Sequence, residues 1–400
     1  MPDSPNTDLP LAGLRVLDLS TYLPGPLCTM LLADWGAEVI KVEPRLGGDL
    51  LRSTLDPVHS ESAYFLGLNR NKKSLAVELK KEAGRAIVLR LARTADVFVE
   101  SYRPGKAARL GLGYEALRGA NPRLVYLSLS GYGQEGPWSG RAGHDLNYLA
   151  LAGVLSLLAD REGRPIAPGI PLGDIAGAFM GLAAVLAALW GRERSGRGRY
   201  IDATIYESGF YWLAPIVTAA AAGLPVQPGH TGLTGTWPCY GVYETRDGRA
   251  MTLGAIEPHF WSEFCRMVGR DDWVPYGRAQ GAEGERVRAE VAALFAGRTQ
   301  AEWVELLAGA DVCCEPVLGI AEAQAHPQAQ ARGLAAEVIS PTEGPLAQVG
   351  TPAGMGALRL PPPRLGEHTA ELLGELGYSR EEIDGLVEAR VVAVCRKGRR

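Results

Sequence analysis

Between residues 15 and 130, short apolar runs alternate with segments of helical periodicity. No other feature restricts the chain's fold as much. Arg15-Val-Leu-Asp-Leu-Ser20 reads as a buried strand. It runs into Thr21-Tyr-Leu-Pro-Gly-Pro26, where proline and glycine mark a loop. Leu27 to Trp35 reads as a helix closed by Gly36, and Ala37-Glu-Val-Ile-Lys-Val-Glu43 as a second strand. Strand, loop, helix and strand within roughly thirty residues match a right-handed parallel crossover. The pattern continues with strands at 74–79, 96–100 and 123–130 and helices at 80–94 and 114–119. Near-continuous apolar strands are buried on both faces. The fold class is α/β, with a large open parallel-sheet, Rossmann-like domain.

Further along, a long apolar helix is expected at 173–194, a strand at 199–206 and a helix at 207–222. Residues 223–235 are rich in Gly, Pro and Thr and read as a linker. Tyr240 to Ile256 forms a hairpin turning at Asp247-Gly248. The expected domains are therefore a large one at 1–222, the linker at 223–235, and a smaller α+β domain at 236–330. Residues 331–400 form a C-terminal segment with a Pro-rich loop at 360–363 and a helix at 369–376.

Several function classes lose support. The net charge of -4 offers no basic field for nucleic acid. The start, MPDSPNTDLPLAG, is polar rather than a secretory leader. The longest apolar run, Ala176 to Trp190, is short for a bilayer, so no membrane partner is expected. Six cysteines form neither a paired framework nor zinc spacing, which points to reduced thiols in the cytoplasm and no metal. GxSxG, Walker A and HExxH signatures are absent from the sequence.

Three residues are candidates for chemistry. His144 lies where a loop becomes a helix, in Arg141-Ala-Gly-His-Asp-Leu-Asn-Tyr-Leu149. A helix N-terminus is electropositive and favours the neutral, basic imidazole. Asp174 opens the long apolar helix, and Glu257 precedes Pro258. Each alone has a plain structural reading: two caps and a solvated residue. Gly131-x-Gly133-x-x-Gly136 follows a strand, but Pro137 comes next and no helix opens there. The dinucleotide signature is thus incomplete, and Gly131 and Gly133 read as a loop whose backbone approaches a ligand. The residues by themselves support an α/β enzyme that binds an anionic ligand at its strand ends.

An ordered set of motifs adds to this. Leu11-Ala-Gly-Leu-Arg-Val-Leu-Asp-Leu-Ser20 and Leu32-Ala-Asp-Trp-Gly-Ala-Glu-Val-Ile-Lys-Val-Glu43 resemble the opening of the family III CoA-transferase (CaiB/BaiF-type) group. Asn69-Arg70, Lys73-Ser74, Glu100-Ser-Tyr-Arg-Pro-Gly105, Leu110-Gly-Leu-Gly113, Leu129-Ser-Gly-Tyr-Gly133 and Gly196-Arg-Gly-Arg-Tyr-Ile-Asp202 follow in the family's order. The resemblance implies one of two activities. Transferases of the group use an aspartate that attacks a CoA thioester and forms an anhydride. Racemases of the α-methylacyl-CoA type use a histidine–aspartate pair and a glutamate for proton transfer. Gly143-His-Asp-Leu-Asn-Tyr148, Leu172-Gly-Asp174 and Gly254-Ala-Ile-Glu-Pro258 resemble the three racemase motifs, which favours that branch.

Inverting a carbon beside a thioester carbonyl needs a proton removed from one face and returned to the other. The resemblance implies His144, oriented by Asp174, on one face and Glu257 on the other. Backbone amides near Gly173 and Asp174 are expected to stabilise the enolate. Arg45, Arg70, Lys73, Arg103 and Arg109 are candidates for the CoA phosphates, since basic side chains suit phosphate. The acyl part is placed near Tyr148, Ile256 and Phe260. CoA arrives as part of the thioester substrate, so no separate cofactor is expected. The resemblance also implies an interlocked homodimer, with the C-terminal segment completing the large domain and Glu257 reaching the site across subunits.

Overall fold

The computed structural model describes residues 8–54, 57–160, 163–226, 233 and 235–395. Most of the expected linker at 223–235 and the basic end of the chain lie outside the described residues. The alternation resolves into six parallel strands, β1 (Arg15–Leu19), β2 (Glu38–Pro44), β3 (Lys72–Val77), β4 (Val97–Glu100), β5 (Val125–Ser130) and β6 (Tyr200–Thr204). Their spatial order is 3-2-1-4-5-6, and Val392–Ala393 adds an antiparallel edge beside β3.

Both faces of this sheet are covered, as its apolar strands require. In β4, Val97 and Val99 join one core while Phe98 joins the other. One face packs on helices Pro24–Asp34 and Leu172–Ser195, through Leu31, Leu182, Val185 and Leu189. The other packs on helix Glu82–Ala92 and on Leu372, Leu373 and Ile383 of the C-terminal helices. Each fully buried Leu or Val here contributes about 1.5–3 kcal/mol relative to exposure. The helix at 172–195 is long and apolar enough to cross a membrane, longer than the Ala176–Trp190 run marked in the sequence. Here its apolar stripe lies on the sheet.

The first helix starts at Pro24 rather than Leu27. Proline is tolerated in a first helical turn, where its missing N–H costs nothing. The third strand starts at Lys72 rather than Ser74, since its pairing with β2 begins at Val39 opposite Lys72; the Lys72 ammonium is buried in an ion pair with Asp18. The expected helix at 207–222 is two helices, Ile205–Tyr211 and Ala214–Ala221, the second beginning beside Pro215.

The chain divides into two compact units, one of residues 1–152, 169–211 and 325–400 and one of 153–168 and 212–324. Residues 153–168 and 212–222 thus group with the smaller unit rather than the larger, and 325–330 with the larger. The smaller unit holds an antiparallel sheet of β7 (Tyr240–Glu244), β8 (Ala250–Gly254) and β9 (Cys314–Pro316). Helices Pro258–Met267, Gly281–Phe295 and Gln300–Leu307 pack on it around Phe264, Trp273, Phe295 and Trp303. Gly248 turns the hairpin at φ 72°, which the Asp-Gly pair predicted.

Candidate active site

In the large sheet, strand order reverses between β1 and β4. Such a switch point opens a crevice at the carboxyl ends of the strands. The loops that follow β1, β4 and β5 meet there. The Thr21 amide donates to Ser101 Oγ at 3.0 Å, and Gln134 Nε2 to the Tyr102 carbonyl at 3.4 Å. Beneath the β1 loop lies a buried charged network. Lys72 Nζ reaches Asp18 Oδ2 at 3.1 Å, and Lys41 Nζ reaches Asp49 Oδ2 at 2.8 Å. Ser20 and Thr29 donate to Asp18, and the Tyr22 amide donates to Asp49 Oδ1. Tyr22 is held at φ 63°, a costly backbone for a tyrosine. Its ring stands edge-on to that of His144, with centroids 6.3 Å apart.

His144 is exposed at the N-cap of helix Asp145–Leu151, as the sequence indicated. Its amide donates to Asn147 Oδ1 at 3.0 Å, which stiffens the turn. Asp174 stands in the first turn of helix 172–195. Among the described residues, no hydrogen bond joins the His144 imidazole to the Asp174 carboxylate, so the expected oriented pair is not formed. The side chain that reaches the Asp174 helix is instead Asp145, whose Oδ1 accepts from the Asp174 amide at 2.9 Å. The Gly173 amide also bonds Asp145. The amides expected to hold an enolate are therefore committed to Asp145. Burial, followed by the charge of Asp145, pushes the Asp174 carboxyl up to about 7. Burial likewise raises Asp145 above the usual carboxylate range. A carboxyl half-protonated near neutrality can either give or take a proton.

The glycine loop serves this geometry by fit. A Cβ on Gly131 would lie 2.4 Å from the Tyr148 ring. One on Gly143 would lie 2.8 Å from the same ring. The space at Gly131 is thus filled by Tyr148, whose hydroxyl donates to the Gly143 carbonyl. Tyr148 is itself buried, so it is a wall beneath the site rather than a surface for an acyl chain. Gly133 adopts φ 93°, which favours glycine, and its amide donates to Ser130 Oγ.

The five basic candidates separate by sheet edge. Arg45 follows β2, and Arg103 and Arg109 follow β4, all at the carboxyl edge where the crevice opens. Arg103 and Arg109 are exposed, and the buried Nε of Arg45 makes no hydrogen bond among the described residues. Arg70 precedes β3 at the opposite edge and is buried. Its guanidinium pairs with Asp34 at 2.6 and 3.1 Å and with Gln348 at 3.1 Å. Lys73 bonds Glu371 at 2.7 Å and Glu38 at 2.8 Å. Arg70 and Lys73, expected at the CoA phosphates, are instead ion-paired at the opposite edge of the sheet, Arg70 buried and Lys73 half-buried.

Glu257 belongs to the smaller unit. It is exposed at the N-cap of helix 258–267. Its loop is clamped by Arg278, whose Nε and Nη2 donate to the Ile256 carbonyl at 3.0 and 2.7 Å. His259 is exposed. Asp145, Tyr22 and Arg278 were not singled out as functional from sequence. Asp145 carried a signal, since it neighbours His144 in the same motif; the other two carried none.

The comparisons with known proteins concern the chain as a whole. The sequence profile described as CoA-transferase family III matches residues 11–369. An alpha-methylacyl-CoA racemase of Mus musculus is 39% identical over 96% of this chain and 97% of its own length. A succinyl-CoA:glutarate CoA-transferase of Mus musculus is 35% identical over 96% of this chain and 90% of its own. The crystal structure of a CAIB/BAIF family protein from Brucella suis superposes with a TM-score of 0.79 at 28% identity, covering 92% of this chain and 100% of that one.

Proposed function

The chain belongs to CoA-transferase family III, and on that premise we propose that it is an α-methylacyl-CoA racemase, interconverting (2R)- and (2S)-2-methylacyl-CoA. The observation that carries this reading is the Asp174 carboxyl, lifted to about 7 by burial and by Asp145. A group that titrates at working pH suits proton transfer. At about 7 the carboxyl is part ionised and part protonated at working pH, so it can take a proton from one enantiomer and give one to the other. The greater identity to a racemase, 39% against 35% for a transferase, points the same way.

In this scheme the thioester lies across the carboxyl edge of the sheet, with its phosphates on Arg45, Arg103 and Arg109. His144 and Asp174 act from separate positions, one taking the α-proton and the other returning a proton to the opposite face. Roles exchange for the other enantiomer. Each group accounts for roughly 10²–10⁴ in rate. We keep Glu257, the N-cap of helix 258–267, as a further candidate for proton transfer. CoA enters and leaves with the substrate, and no further cofactor takes part. Six free thiols fit a reducing compartment such as the cytoplasm.

The second reading is a CoA-transferase that forms an anhydride at Asp174, favoured by the relatives that carry that activity. Incubation with 2-methylacyl-CoA in D₂O separates the two. Deuterium at C2 without an acceptor acid supports racemisation. Turnover that requires a carboxylic acid and leaves C2 unlabelled supports transfer.

The working unit we propose is a homodimer. The smaller unit's helix 214–221, APIVTAAA, buries none of its residues. In the larger unit Phe179, Trp190 and Tyr211 are 50, 69 and 70% exposed. Apolar surface of this kind marks association in a water-exposed protein.

A further inference from the structure

We propose that Asp145 is a positioning residue for Asp174, holding the first-turn amides of its helix and setting a second negative charge beside its carboxyl. This rests on the proton-transfer reading of Asp174. The geometry is specific. Asp145 Oδ1 accepts from the Asp174 amide at 2.9 Å, so the carboxylate sits at the electropositive end of helix 172–195. Gly173 leaves room for it: a Cβ there would stand 3.0 Å from Asp145 Oδ1. The helix that carries Asp145 is fixed from the other side by Tyr148, packed into the notch at Gly131 and Gly143.

A helix N-terminus by itself stabilises an ionised carboxylate nearby. Asp145 occupies the two amides that would otherwise do this for Asp174. It thereby replaces an attractive field with a repulsive one. The remaining groups around Asp174 do not offset this. Tyr148, on the same helix as Asp145, is neutral at working pH, with burial raising it to about 12. Arg103 acts on Tyr148 only as a lesser influence, behind burial and Asp174. Helix 205–211 presents Ile205 to Gly177, and its Glu207 is exposed. His144, adjacent in sequence to Asp145, makes no hydrogen bond to Asp174. Asp145 is the one charged side chain among the described residues that bonds the Asp174 backbone.

The test compares Asp145→Asn, which keeps the acceptor oxygen and removes the charge, with the wild-type chain. Two readouts are taken: the pH profile of C2 deuterium uptake, and ¹³C NMR titration of the carboxyls without substrate, with Asp174→Asn assigning the Asp174 signal. The expected result is an Asp174 midpoint about one pH unit lower in Asp145→Asn, with the pH profile moving by the same amount. A superimposable titration, with only a uniform loss of rate, overturns the proposal. Asp145→Ser also offers an acceptor without charge and takes the place of Asp145→Asn if that variant does not fold. The proton-transfer reading fails separately: Asp174→Asn would retain full exchange, whatever the carboxyl titration shows.

Discussion

At the scale of single residues, the site is a place where stability is given up. Asp174 ionises less readily in the folded chain than in the unfolded one, because burial and then Asp145 oppose the charge. A carboxyl raised in this way favours folding most at low pH, and that contribution is lost as pH rises through about 7. Asp174→Asn should therefore be more stable than wild type at pH 8, by roughly 1–3 kcal/mol, and the gain should vanish below about pH 4. Urea denaturation at the two pH values checks this, and a variant that is less stable at pH 8 contradicts it. The sequence marked His144, Asp174 and Glu257 because each sits at a helix start within a recognisable motif. It misassigned Arg70, since a buried bidentate pair with Asp34 looks the same in sequence as a free surface arginine. It also passed over Asp18, Lys41 and Lys72, although charges inside central parallel strands must be paired when buried. That inconsistency was visible, but only the fold shows which charge meets which.

At the scale of elements, the short helix 145–151 links the glycine loop to both acid–base candidates. It carries His144 at its cap and Asp145 in its first turn, and Tyr148 seats it on Gly131. Gly131→Ala would force a Cβ to within 2.4 Å of the Tyr148 ring. Overpacking of this kind costs about 1–3 kcal/mol. Thermal melts should show that loss, and deuterium exchange should fall more than tenfold because the helix start shifts. Unchanged exchange would separate the glycine loop from the site. The central strands were legible because their apolar runs are continuous. The hairpin of residues 335–340 and 344–349 was not, because its Ala, Glu and Gln residues carry weak strand preference and only Val338 and Leu346 are buried apolar anchors. The edge strand Val392–Ala393 is two residues long and offers no periodicity at all. Helix Arg380–Glu388 was missed although Ser379 and Glu382 form a capping box, a start signal that was present in the sequence.

At the scale of the whole molecule, the strand order 3-2-1-4-5-6 determines where the chemistry can sit. It sends the loops after β1, β4 and β5 to one crevice, and it puts Arg70 at the opposite edge. The apolar helix 214–221 predicts that the chain sediments as a dimer, and that Val217→Asp shifts it toward monomer and lowers turnover. A monomeric wild type with full activity would remove the dimer from the account. The central claim is inversion at C2 by two separate proton-transfer groups. It is tested most directly by starting from one pure enantiomer of a 2-methylacyl-CoA, with no acceptor acid, and following optical activity. The predicted result is decay to zero as the enantiomers equalise, slowed at least a hundredfold, by the order of a single acid–base group, in both His144→Ala and Asp174→Asn. Retention of optical activity by the wild-type enzyme, with CoA moving only when a carboxylic acid is added, would contradict it.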